Sequence, residues 1–175
     1  MDRLTEHYLQ TTHKVFTTYR ALAEKALAQV SDEEFFQTID SESNSLALIV
    51  KHLAGNMRSR WTNYLTEDGE KPDRNRDGEF IIDGDTRASL MAAWEQGWTL
   101  AFEGLQQVPD LHYTIKIRGE DHTVLEAIER QLAHAAYHVG QIVFLAKHLK
   151  SEQWKTLSIP RNRSEQFNQQ MEEKK

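Results

Sequence analysis

The residues best suited to chemistry in this chain are histidines. His134 and His138 stand four apart in Gln131-Leu132-Ala133-His134-Ala135-Ala136-Tyr137-His138-Val139-Gly140-Gln141. On a helix that spacing turns both imidazoles to one face, one turn apart, where both can reach a single ion at ~2.0–2.1 Å. The pair is weak evidence by itself, because with 8 histidines among 175 residues about one random chain in three would carry such a pair. His52 strengthens it: at ~100° per residue it falls at the margin of an apolar stripe, as His134 and His138 do on theirs. Two facing helices would then converge three neutral imidazoles at the mouth of a helical core, a common way of building metal sites. Cysteine is absent, so disulfides, thiolate nucleophiles and Cys-type zinc ligands are excluded. No Glu follows either histidine in the His-Glu-x-x-His pattern, which removes the corresponding protease chemistry.

The remaining histidines have plainer roles. His7 and His13 lie among Thr and Gln on the first helix and read as surface residues, while His112 and His122 flank a short insert. His122 falls near a helix N-terminus, which favours a neutral ring, and His148 lies in a last helical turn, which suits a cation. Asn56, Tyr137 and Gln141 are candidates to support the histidines, with packing or exposure equally open to each. Arg74 and Arg76 are placed to steer an anionic substrate, yet Asp73 and Asp77 beside them favour a solvated loop. Trp61, Trp94 and Trp98 fall on apolar stripes and read as core.

Four long helices must position these groups, over most of residues 2–29, 45–65, 86–107 and 123–149. The first places Leu4, Tyr8, Val15, Tyr19, Leu22 and Ala26 on one face. Ser31-Asp32-Glu33-Glu34 reads as a cap and a short acidic first turn. Leu46, Ile49, Val50, Leu53, Met57, Trp61 and Tyr64 stripe the second helix, and Leu90, Met91, Trp94, Trp98, Ala101, Phe102 and Leu105 the third. Thr123-Val124-Leu125-Glu126 is a capping box opening the fourth, whose stripe runs through Ile128, Leu132, Ala135, Val139 and Ile142. Residues 66–85, rich in Gly, Asp, Arg and Pro, form a long crossover; loops of this length are usually functional or mobile, and a plain solvated crossover is at least as well supported. Leu111 to Ile117 alternates like a strand before the turn Arg118-Gly119-Glu120-Asp121, so a small extended insert is expected. A short helix follows from Ser164. The fold class expected is all-α, a four-helix bundle, in one domain covering 1–175.

The balance of 21 basic and 27 acidic residues, a formal charge of −6, argues against a general grip on nucleic acid. No apolar run approaches the ~20 residues of a membrane helix, and the first residues lack a signal core. The expectation is a cytoplasmic protein without nucleic-acid or membrane partners.

The helix order and the motifs Leu48-Ile49-Val50-Lys51-His52-Leu53-Ala54-Gly55-Asn56 and His134-x-x-x-His138-x-Gly140-Gln141-Ile142 resemble the DinB/YfiT-like superfamily over nearly the whole chain. The segments Arg74-Asn75-Arg76-Asp77-Gly78-Glu79-Phe80 and Trp154-Lys155-Thr156-Leu157-Ser158-Ile159-Pro160-Arg161 resemble a branch of that superfamily without an assigned activity. The resemblance implies a four-helix bundle with a divalent metal, zinc or nickel, on His52, His134 and His138, the other positions going to water or substrate. It also implies, by analogy with some relatives, transfer of a low-molecular-weight thiol to a small electrophilic substrate. A three-histidine ion keeps open positions, as catalytic sites do, and supports hydrolysis on the same ligands. The competing reading is a non-catalytic, stress-associated metal-binding module that forms a homodimer. No general base can be assigned.

Overall fold

The computed structural model describes residues 2–173. It is mostly helical, with one two-stranded sheet among the described residues. Helix α1 (Arg3–Leu27) starts where the Asp2 carboxylate accepts from the backbone N–H groups of Leu4 and Thr5 at 2.8 and 3.0 Å, satisfying donors that have no intrahelical partner. Its C-terminal end is covered from elsewhere: the Arg87 guanidinium donates to the carbonyl of Leu27, the last residue of the helix, and to the Val30 carbonyl and Asp32 just beyond it. The acidic turn anticipated after Ser31 is a five-residue helix, α2 (Asp32–Phe36), with a complete Ser31–Glu34 capping box.

Helix α3 (Leu46–Trp61) opens on Ser45 and α4 (Arg87–Gln106) on a Thr86–Ser89 capping box. The expected box at Thr123–Glu126 starts α5 (Val124–Lys150), which runs unbroken through Gly140. A last helix, α6 (Ser164–Glu172), buries no residue. The four longer helices touch in a closed ring, α1 to α5, α5 to α3, α3 to α4 and α4 to α1, around a core that includes Phe16, Leu53, Met57, Trp94, Trp98, Ile128 and Ile142. Trp98 meets Phe16 and Trp94 edge-on at 5.8 and 5.6 Å between ring centroids, the arrangement that aligns ring edges with ring faces. The three stripe tryptophans are buried, as their spacing required.

Two details differ from expectation. Leu4 is 76% exposed and contributes nothing to the core. Helix α3 ends at Trp61 instead of residue 65: Thr62 leaves helical geometry and Asn63 takes a φ of 47°. Tyr64 nevertheless stays buried, its hydroxyl donating to the Gly104 carbonyl at 3.0 Å. Burial survives the helix end because the turn folds the ring back onto α4.

The extended insert is a hairpin, β1 (Thr114–Ile117) paired antiparallel with β2 (Glu120–Thr123). Its two-residue turn has φ of 58° at Arg118 and 79° at Gly119, the left-handed pair that matches strand twist. The Asp68 carboxylate accepts from both turn N–H groups at 2.8 and 2.7 Å, so the crossover holds the hairpin. The crossover is itself fastened to α3. Ser59 Oγ donates to the Gly69 carbonyl and accepts from Lys71 N–H. Lys51 Nζ reaches the Ile81 carbonyl and the Asp85 carboxylate, both at 2.7 Å. Among the described residues no helix is long and apolar enough to cross a membrane.

Candidate metal centre

Helix α3 supplies His52 and α5 supplies His134 and His138, and packing of the two helices brings the three rings together. One nitrogen from each lies within 4.8 Å of the others. His134 Nε2 is 3.2 Å from His52 Nε2 and 3.1 Å from His138 Nε2. Three nitrogens at ~2.0–2.1 Å from one tetrahedral ion stand about 3.3 Å apart, so these two gaps already match an ion's demand. His52 and His138 are 5% and 8% exposed. They do not sit at the margin the helical wheel assigned them, because the crossover and neighbouring rings cover them.

The far nitrogens decide the tautomers. His52 Nδ1 is 2.8 Å from Glu79 Oε2, and a carboxylate can only accept, so this nitrogen carries the hydrogen. His138 Nδ1 is 2.8 Å from Gln141 Oε1 and carries its hydrogen in the same way. In the neutral rings both Nε2 atoms are therefore bare lone pairs, and both face His134 Nε2. A single N–H on His134 can bridge one of those gaps and not the other. His134 Nδ1 meanwhile is buried without a partner. Lone pairs converging with nothing to share is a costly arrangement for protein groups alone, and it is the donor set that suits a divalent ion. These three histidines could hold a metal ion.

Burial, with His138 and His52 alongside, lowers the His134 pKa to about 3. Burial also lowers that of His138, against the Gln141 hydrogen bond. Both rings are thus kept in the neutral form that a ligand needs.

The crossover, whose alternating charges read in sequence as a solvated loop, carries the deepest support of the site. Its 3-10 turn Asp77–Phe80 brings Glu79 to 6% exposure. Arg74, only 3% exposed along its side chain, grips both Glu79 oxygens, Nε on Oε1 at 2.8 Å and Nη2 on Oε2 at 2.9 Å. Burial pushes the Glu79 carboxyl up, but the hydrogen bonds from His52 and Arg74 outweigh it and hold it below the usual carboxylate range. Phe80 stacks on the His52 ring at 4.9 Å between centroids. Gly55, one turn along α3 from His52, makes the approach of Glu79 possible: a Cβ there would lie 2.5 Å from Glu79 Oε1.

Of the three supporting candidates, Gln141 contacts the triad, Tyr137 lies edge-on to His138 at 4.7 Å, and Asn56 lines an adjoining cavity. His7, His13, His112 and His148 are exposed, and His122 faces Glu120 on the hairpin. Glu79 and Arg74 were the residues that spacing could not assign. No periodicity links position 79 to position 52, and acid–base alternation in a loop normally means solvent.

A cavity of about 480 Å³ opens beside His52 and His134. Residues 3–163 match a family described as a protein of unknown function (DUF1572), and the chain belongs to that family. No curated protein matches it.

Proposed function

We propose that this member of the DUF1572 family is a divalent-metal-dependent enzyme whose ion is ligated by Nε2 of His52, His134 and His138. The observation that carries the reading is the pair of locked tautomers: Glu79 and Gln141 take the Nδ1 hydrogens of His52 and His138, and leave both Nε2 lone pairs aimed at His134. Outer partners of this kind orient ligating histidines and raise their basicity. Arg74 keeps Glu79 ionised and turned toward His52. The adjoining cavity gives a substrate access to one side of the triad. Three protein ligands leave a position open, the arrangement of catalytic rather than closed sites.

The likeness to DinB/YfiT-type four-helix bundles favours zinc or nickel and transfer of a low-molecular-weight thiol to a small electrophile. The chemistry such an ion supplies is Lewis acidity, which acidifies a water or a thiol. Within the chain, the walls of the cavity orient the substrate, and Glu79 and Gln141 hold the histidine hydrogens away from the open side.

The test is metal content and affinity of full-length protein purified without a histidine tag. Replacing His134 with Ala should cut affinity by orders of magnitude with the helical content kept, whereas His7→Ala and His148→Ala should bind as wild type. Equal binding by the His134 variant sinks the proposal. A screen of thiols against electrophiles, run beside ester and amide substrates, separates transferase from hydrolase.

A further inference from the structure

The chain is acidic overall, yet the cavity beside the triad is lined by five arginines, Arg60, Arg74, Arg76, Arg118 and Arg130, and by no carboxylate among the described residues. Two acids stand behind three of them. Glu70 pairs with Arg60 at 2.9 Å and Arg118 at 3.1 Å and also reaches Arg74, while Glu79 pairs with Arg74. Asp68, which accepts from the Arg118 and Gly119 N–H groups and lies in the field of Arg60, is a third, so five guanidinium charges meet three carboxylates and an excess of positive charge remains around one concave surface. Arg76 and Arg130 reach no carboxylate among the described residues. Arg76 lies over the Phe80 ring that stacks on His52, and Arg130 is one turn before His134 on α5. The two unpaired cations therefore flank the triad from the crossover side and from the α5 side.

A second, independent observation concerns neutral groups. Gln131 and Trp61 line the same cavity at 5% exposure each, and Gln131 Nε2 and Trp61 Nε1 are buried without partners. Both atoms are donors, as is every nitrogen of an arginine. Outside the triad, the buried wall atoms left without a partner are thus both donors. Ile115, Ile117 and the Trp61 ring give one part of the wall an apolar surface.

From this we propose that the cavity binds a small organic oxyanion, a carboxylate or phosphate on an apolar body, with Arg76 and Arg130 on the anionic group and the body against Trp61, Ile115 and Ile117. A volume of about 480 Å³ lies in the range of small-molecule sites. Guanidinium groups suit planar or tetrahedral oxyanions through paired N–H bonds. The inference rests on the metal reading only for where the ligand's reacting end lies, toward His52 and His134.

The test is calorimetric titration of the metal-free full chain with phenylacetate, phenyl phosphate and the uncharged benzyl alcohol. One or both anions should bind saturably, and the alcohol at least about tenfold more weakly, as loss of a charge-assisted contact implies. The stronger anion identifies the group preferred. The double variant Arg76→Gln/Arg130→Gln, both side chains being exposed and unpaired, should keep its fold and lose at least about tenfold in anion affinity. The alcohol binding as well as the anions, unchanged anion affinity in the double variant, or no saturable binding by either anion overturns the proposal. Neither arginine hydrogen-bonds the histidines, so a metal titration alongside tells the two readings apart: anion binding without metal binding rejects the metal site alone, and metal binding without anion binding rejects this inference alone.

Discussion

Replacing Gly55 with Ala reverses the sign that a helical glycine normally gives. In mid-helix the change stabilises by about 0.8–1 kcal/mol. At this position the new methyl would lie 2.5 Å from Glu79 Oε1 and 2.8 Å from Glu79 Cδ. An ordinary carbon–oxygen contact begins near ~3.3 Å, so the carboxylate must retreat by about 0.8 Å. Glu79 is a flexible side chain in principle, but here it is tied at three points, twice to Arg74 and once to His52. It cannot withdraw that far without releasing at least one of them. Loss of one charge-assisted hydrogen bond costs about 1.5–3 kcal/mol, so after the helix gain the variant should be destabilised by about 0.5–2 kcal/mol. The displaced carboxylate also holds the His52 Nδ1 hydrogen less well, which should weaken metal binding by up to ~10–100-fold. Urea unfolding of the metal-free protein reads the first effect and a chelator competition reads the second. A variant that is more stable by about 1 kcal/mol with unchanged metal affinity would refute the role given to Glu79.

In the metal-free protein His134 should remain neutral across the range in which free histidine titrates, since its pKa is lowered to about 3; an NMR titration of its ring with a midpoint near ~6.5 contradicts this. Because the folded state keeps His134 and His138 neutral while the unfolded chain protonates them, stability is unaffected above ~6.5 and is lost as pH falls below it, which acid-dependent unfolding curves would measure. Gly119→Val puts a β-branched side chain at a φ of 79° and should cost at least ~1 kcal/mol by thermal unfolding, an unchanged Tm being the adverse result. Binding to duplex DNA in about 0.15 M salt should be absent, because an acidic surface releases few counterions; a tight, steeply salt-dependent complex would be the opposite outcome.

The histidines and the elements that bring them together were legible because helical periodicity is a local property. The stripe through Leu46, Ile49, Val50 and Leu53 places His52, the capping box at Thr123 starts α5, and four-residue spacing aligns His134 with His138. The end of α3 was not legible. Tyr64 continues the apolar stripe in sequence but is buried by a turn after the helix, and periodicity cannot tell these apart. The role of the crossover was hidden for a different reason. Arg74 and Glu79 look like solvated charges until Glu79 is seen to face His52, a contact between residues 27 apart in the chain. Gly55 shows the same limit, since its use is set by a side chain from another segment.

The fastening of the crossover has a consequence for cutting the chain. Gly84 has a φ of 71° with open space around it, and the nearby Ile82 is exposed, so a protease or an engineered break has room to act there. Lys51 holds the Ile81 carbonyl on one side of that point and the Asp85 carboxylate on the other. The hydrogen bonds and ion pairs of Glu79 and Arg74 lie upstream of the break, and α4 recaps itself just downstream on Thr86. The two pieces left by a nick at Gly84 would stay associated through the shared core. The histidine triad is then divided between them, His52 on one fragment and His134 with His138 on the other, which makes recovery of metal binding on mixing separately prepared halves a direct report of their reassembly.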